Sequence, residues 1–132
     1  MDPLRSIVPA PLTEVRTAVE AALKAQGFGI LTEVDLQATF QAKLGVAHEG
    51  HRILGVCNPN FAKRALDVDR DVALLLPCTV TLREVEGGTE VQVFDPEVAF
   101  QVAAPETRAK LAPLAGEVKG LLAAAIAALP GA

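Results

Sequence analysis

The sequence has few of the large side chains that usually dominate a core or a binding site. Its 132 residues include no tryptophan and no tyrosine, and five phenylalanines make up the whole aromatic content of 4%. A core without many aromatic rings must be built from Leu, Val, Ile and Ala, in keeping with a hydrophobic content of 51%. A chain of this length supplies one core, so we expect a single domain over residues 1–132.

Positive charge is also scarce. Twelve Lys and Arg residues against sixteen Asp and Glu residues give a net charge of −4, and the basic residues are scattered along the chain. Nucleic-acid binding normally needs a basic face, so we expect no nucleic-acid partner. The apolar stretch from 120 to 129 is roughly half of the ~20 residues that a membrane span requires, so we expect no membrane partner.

The chain has only two cysteines, Cys57 and Cys78, and no C-x-x-C pair. Two cysteines do not make a disulfide framework, and the first residues lack the basic start and apolar centre of a signal peptide. We therefore expect a cytoplasmic protein with reduced thiols. Each cysteine lies at a predicted strand end, so we also expect their Cα atoms within roughly 10 Å of each other.

Periodicity and capping residues predict the first half of the chain. We expect an edge strand over 4–8, a helix capped by Thr13 and ended by Gly27, and a strand over 28–34. Asp35 then caps a second helix, which runs through Lys43 and stops at Gly45.

A buried strand is predicted to end at Cys57, where Asn58 is a good N-cap and Pro59 suits the first helical position of a helix of about two turns.

Two alternating runs, 78–85 and 89–94, flank Glu86-Gly87-Gly88 and predict a hairpin. A short helical segment should follow from Asp95 through Val102, and an amphipathic helix over about 105–129 should bend or restart at Pro113. This order predicts an α+β fold with a mostly antiparallel sheet of about four to six strands and the long helices on one face.

Cys57 has two interpretations. A thiol just before a helix N-terminus lies in the positive field of unpaired N–H groups, which favours the thiolate. Cysteine is also among the most buried residue types and can simply fill a gap where strand meets helix. The same two interpretations apply to Cys78.

Two other groups of residues are chemically suggestive. Glu33 and Asp35 flank the start of the second helix, where carboxylates either serve metal or acid–base chemistry or cap the helix and interact with its dipole. His48 and His51 form an H-x-x-H pair, which requires two more ligands for structural zinc, such as Cys57 and Cys78. Otherwise they are two solvated loop histidines.

The middle of the chain carries a series of short motifs. They are Gly29-Ile30-Leu31-Thr32-Glu33-Val34-Asp35, Lys43-Leu44-Gly45, Ile53-Leu54-Gly55-Val56-Cys57-Asn58-Pro59, Ala65-Leu66, Leu74-Leu75-Leu76-Pro77-Cys78 and Asp95-Pro96. As a set, over roughly residues 13–96, they resemble the bacterial and archaeal family called domain of unknown function 302. The sequence departs from that pattern at Val56, where a small residue is expected, at Thr79, where asparagine is common, and in its proline-interrupted opening strand.

The resemblance implies a fold and an assembly state. The fold is similar to the β-α-β4-α arrangement of the TATA-box-binding-protein-like class, and such proteins are usually homodimers. Sharing that fold implies no DNA binding, because function depends on the site and not on the fold.

Three functions from different classes fit these observations. The first is a small binding or regulatory domain with an anionic or other small-molecule ligand at the helix start after Cys57. The second is a thiol-dependent enzyme or redox protein that uses Cys57 and Cys78. The third is an interaction protein that acts as a homodimer. No catalytic residue, cofactor or metal is predicted. The candidate ligand-binding residues are Cys57, Asn58, Pro59, Cys78, Glu33 and Lys43.

Overall fold

A computed structural model describes residues 1–131. Over that range the strands are β1 (Leu4–Val8), β2 (Gly29–Asp35), β3 (His51–Cys57), β4 (Cys78–Val85) and β5 (Gly88–Val93). The α-helices are α1 (Leu12–Ala25), α2 (Leu36–Leu44), α3 (Pro59–Val68), α4 (Pro96–Ala99) and α5 (Pro105–Ala127). Two 3-10 helices, Arg70–Leu75 and Phe100–Val102, complete the secondary structure of these residues.

All neighbouring strands of the sheet are antiparallel, in the order β1-β5-β4-β3-β2. The predicted α+β class, the edge strand over 4–8 and the hairpin over 78–94 are therefore confirmed. If the short helices α2, α3 and α4 are set aside, the chain follows the order β1, α1, four strands, α5. This is the β-α-β4-α arrangement that the family resemblance implied.

One face of the sheet carries the main core. Leu54, Val80, Leu82 and Val91 alternate along the three central strands and are completely buried. They pack with the apolar sides of α1 and α5, in which Leu122 is also completely buried. The opposite face, called the open face below, carries Ile53, Thr79, Thr81, Arg83 and Gln92, as the strand registers require.

The first half of α5 belongs to a second, smaller core. Leu111 and Leu114 pack there with Ala65 of α3 and Val72 of the first 3-10 helix. α5 is a single helix through Pro113, so the predicted restart at that proline is not present. No helix within residues 1–131 is both long enough and apolar enough to cross a membrane.

Local capping chemistry was predicted correctly for α2 and incorrectly for α1. The Asp35 side chain accepts a hydrogen bond from the Ala38 N–H, and Gly45 ends α2 in the left-handed conformation with φ 65°. α1, in contrast, begins one residue before Thr13. The Pro11 carbonyl accepts the first helical hydrogen bond from the Val15 N–H at 3.0 Å, so Thr13 lies inside the helix and does not cap it.

Candidate functional site

Two of the predicted site segments meet where β3 ends and β4 begins. Val56 and Cys78 are direct partners in the β3–β4 register, and Cys57 follows Val56. The Cα atoms of paired residues are about 5 Å apart and those of consecutive residues about 4 Å. The Cα atoms of Cys57 and Cys78 therefore lie within about 9–10 Å of each other. The predicted proximity is confirmed, and both thiols are free.

The two cysteines line a small apolar cavity, called the cysteine pocket below. Its volume is about 30 Å³, which is about the share of one water molecule in the liquid. Such a cavity accepts a methyl-sized group and not a whole metabolite. The other lining residues are Phe28, Val56, Asn58, Phe61, Ala62, Ala65, Leu76, Pro96, Phe100, Leu114 and Val118.

Asn58 occupies the N-cap position of α3, but its side chain does not cap the helix. Its Nδ2 atom instead donates to the Gln26 carbonyl at 3.4 Å, across the connection between α1 and β2. The predicted capping bond is therefore wrong, because a tertiary acceptor competes for the amide. Pro59 is the first helical residue as predicted, and α3 is longer than expected, with 10 residues.

The pKa values of both thiols are raised, which argues against an activated nucleophile. Burial raises the pKa of the Cys57 thiol above its ordinary value. Burial also raises the pKa of Cys78, to about 11, with a smaller contribution from the neighbouring Cys57. Of the two interpretations of Cys57, the raised pKa agrees with a partly buried thiol and not with an activated thiolate, because burial disfavours the charged form.

Glu33 and Lys43 lie away from the cysteine pocket. Glu33 is opposite Leu54 in the β2–β3 register, and its carboxylate binds Arg16 of α1 at 2.8 Å and Arg52 of β3 at 3.0 Å. The hydrogen bond from Arg16 lowers the pKa of Glu33. Lys43 is exposed in the last turn of α2. Of the six candidate ligand-binding residues, Cys57, Asn58 and Cys78 therefore share one site.

A larger groove adjoins the cysteine pocket on the open face of the sheet. This open-face groove has a volume of about 380 Å³. Leu76, Cys78, Pro96 and Phe100 line both cavities and form the wall between them. The remaining lining residues of the groove are Thr32, Val34, Ile53, Leu54, Gly55, Leu74, Leu75, Pro77, Thr79, Phe94 and Ala99.

The two histidines come together at the other end of β3. Six residue steps of extended strand lead from His51 to Cys57, a distance of roughly 20 Å, so a zinc site made from both histidines and both cysteines is excluded. The histidines are not independently solvated either. His48 Nε2 lies 3.0 Å from His51 Nδ1, and the two rings stack with centroids 5.3 Å apart. The H-x-x-H spacing was the one sequence signal for this pairing.

These features define a single-domain α+β protein with one covered sheet face and an apolar site at a strand junction. The chain belongs to the family described as domain of unknown function DUF302, which matches residues 5–129. It is similar to the crystal structure of an uncharacterized conserved DUF302 protein from Bacillus stearothermophilus, with 26% sequence identity, a TM-score of 0.85 and 98% of each chain covered. No functionally curated protein matches the sequence. The family assignment therefore fixes the fold and leaves the function open.

Proposed function

We propose that this protein is a small cytoplasmic binding or regulatory domain whose site is the cysteine pocket together with the open-face groove. The observation that carries the proposal is the wall shared by the two cavities. Leu76, Cys78, Pro96 and Phe100 contribute to both, so a ligand in the groove rests on the residues that close the pocket.

The size of the groove supports a small-molecule ligand. Ligand sites usually enclose about 300–1,000 Å³, and the open-face groove, at about 380 Å³, falls at the lower end of that range. The cysteine pocket alone is too small for a ligand, but it gives the shared wall a space into which a side chain or a terminal methyl group can move.

The chemistry of the lining supports an apolar ligand over an anionic one. Among residues 1–131, no Lys, Arg or His side chain lines either cavity, and the Asn58 amide donates to the Gln26 carbonyl. The thiols are held neutral by their raised pKa values. An anion would lose its hydration here without gaining a charged partner. Moving an alkyl or aryl group from water into the groove would instead be favourable in free energy.

Binding of anilinonaphthalene sulfonate and of decanoate to the folded chain tests the proposal. Thr79 lines the groove and Thr81 lies two residues further along the same strand, outside the lining. Thr79→Leu should fill the groove and weaken both probes, whereas the matched control Thr81→Leu should leave them unchanged. The proposal fails if neither probe binds, or if the two variants bind equally well.

A second candidate function is assembly into a homodimer through the apolar part of the open face. Leu74 is 88% exposed and stands beside Val34 at 43% and Phe94 at 38% along the groove. Large apolar side chains grouped in this way favour a protein partner over water. The apolar side of α5 is already buried in the two cores and is not available as a dimer surface.

Light scattering separates the two candidates. A homodimer on this face should become monomeric in Leu74→Lys or Val34→Lys, and its groove should be closed to anilinonaphthalene sulfonate. A wild-type monomer at micromolar concentration would exclude the homodimer and leave the groove free for a ligand.

A further inference from the structure

Three potential metal ligands converge at the start of β3, in a cluster that we call the histidine cluster. It consists of His48, Glu49 and His51, and one ligand atom from each lies within 4.8 Å of the other two. These are the only two histidines of the chain. Both imidazoles are partly buried, and Glu49 is exposed.

The cluster is held in place by contacts outside its own residues. The Gln37 amide of α2 donates to the His48 carbonyl at 3.1 Å, and Phe40 packs edge-on against the His48 ring with centroids 5.0 Å apart. The Glu84 N–H donates to the Gly50 carbonyl at 2.8 Å and so ties the loop to β4. A ligand set fixed by surrounding contacts binds a metal with little ordering cost.

The spacing of the imidazole nitrogens suits a transition metal. His48 Nε2 and His51 Nδ1 are 3.0 Å apart and share a hydrogen bond, whose proton a metal ion bound by both nitrogens would replace. An ion at the usual metal–nitrogen distance of about 2.0–2.1 Å from both atoms would subtend an angle of roughly 95°. If the two nitrogens moved apart by a few tenths of an ångström, the nitrogen–metal–nitrogen angle would reach the tetrahedral value. In this arrangement, His48 Nδ1 remains directed at Glu49 Oε1, 3.5 Å away.

We propose that His48 and His51, with the Glu49 carboxylate as third ligand, form a binding site for a divalent transition-metal ion. Two imidazoles and one carboxylate are a ligand set used for Zn²⁺ and for Fe²⁺, with positions left open for water or a substrate. Mg²⁺ and Ca²⁺ prefer an all-oxygen shell, so they should not compete. His51 also lines an open groove of about 640 Å³, through which such a molecule would reach the ion.

Titration of Zn²⁺ into the full, untagged chain by calorimetry tests the site, since a histidine tag would mask it. We expect one bound Zn²⁺ per chain that excess Mg²⁺ does not displace. Loss of an outer-shell partner typically weakens a metal site by about 10–100-fold. We therefore expect His48→Ala and His51→Ala to weaken binding by at least about 100-fold, and Glu49→Gln by about 10-fold.

Two controls identify the ligands. Glu86→Gln removes an exposed carboxylate of the neighbouring β4–β5 turn and should leave the affinity unchanged. The double variant Cys57→Ser, Cys78→Ser should also bind as the wild type does. Wild-type affinity in either histidine variant would overturn the proposal, and so would a dissociation constant above about 1 mM for the wild type.

A measurement on the unmodified protein covers the case in which a histidine variant does not fold. Stoichiometric Zn²⁺ should shift the NMR signals of His48 Nε2 and His51 Nδ1 in the wild-type chain. If neither nitrogen signal moves when the ion is added, the proposed site is wrong.

Discussion

Gly27 and Asn58 are in contact across the junction between α1 and α3. A Cβ atom on residue 27 would come within 2.9 Å of Asn58 Nδ2, and Gly27 has φ 85°, in the region that favours glycine. The close approach lets the Asn58 amide reach the Gln26 carbonyl. Gly27, which follows the end of α1, therefore also positions Asn58, the residue that precedes α3.

This contact predicts the effect of Gly27→Ala. The left-handed conformation and the close amide should together cost about 1–3 kcal/mol in the free energy of unfolding. Gly29→Ala is a matched control, because a Cβ there meets no atom within 4 Å. Denaturant unfolding of both variants measures the difference. Equal stability of the two would contradict the structure at this junction.

A cavity in β3, next to the central strand of the sheet, should lower the stability of the protein. Leu54 is completely buried, whereas Leu74 is 88% exposed. We expect Leu54→Ala to lower the free energy of unfolding by about 2–5 kcal/mol and Leu74→Ala by less than about 0.5 kcal/mol. A loss of under ~1 kcal/mol for Leu54→Ala would mean that β3 is not part of the core.

Cys78 should make the fold sensitive to alkali. Its folded-state pKa of about 11 lies above the ordinary value of 9.0. The folded state therefore holds the proton more tightly, and this stability is fully present below pH 9 and is lost as the pH rises towards 11. We expect a loss of about 2–3 kcal/mol over this interval. Cys78→Ala should lack that part of the pH dependence in urea titrations at pH 8.5 and 10.5.

Both thiols should react slowly with iodoacetamide, because the raised pKa values keep the thiolate fraction small at neutral pH. Cys57 should react before Cys78, whose pKa is raised to about 11. Mass spectrometry of each alkylated peptide over time gives the two rates. A Cys57 rate above that of free cysteine at pH 7 would instead support the thiol-dependent enzyme.

Glu33 should contribute a modest stability that disappears in acid. Its pKa is lowered below the ordinary 4.5, first by the hydrogen bond from Arg16 and further by Arg52. Because the pKa of Glu33 is lower in the folded state, its charge stabilises the fold at pH values above the pKa of the unfolded state. This contribution is lost as the pH falls through the pKa of the folded state. The partly exposed pairs should contribute about 0.5–1 kcal/mol.

Glu33→Gln should therefore destabilise the protein at pH 7 and have a smaller effect at pH 3. Glu86, exposed in the β4–β5 turn, supplies the matched control Glu86→Gln. If Glu33→Gln costs nothing at pH 7, or if its cost is undiminished at pH 3, the ion pairs do not stabilise the fold.

Features set by local chemistry were predictable from the sequence. The Asp35 side chain caps the start of α2, and the left-handed backbone of Gly45 ends it. Glu86-Gly87 forms a hairpin turn that needs no distant partner. Cys57 and Cys78 lie close together as expected because β3 ends and β4 begins at the same end of the sheet. The fold class depends mostly on features of this kind.

Features that depend on tertiary neighbours were not predictable. The Asn58 amide donates to the Gln26 carbonyl, which is distant in sequence. The pKa of Cys57 is raised by partial burial among residues from several elements. The stacking of His48 on His51 depends on Gln37, Phe40 and β4, so the spacing of the two histidines alone did not reveal the cluster. The open-face groove similarly requires the position of the first 3-10 helix.

The two helices that cover the sheet come from distant parts of the chain, and this has a consequence for synthesis. When a ribosome has released the residues through β5, all five strands exist, yet the apolar face of the sheet has only α1 to cover it. β1 finds its partner only when β5 emerges, and the second core requires α5. We therefore expect folding to be completed late, with a nascent intermediate that exposes Leu82 and Val91 and needs chaperone protection.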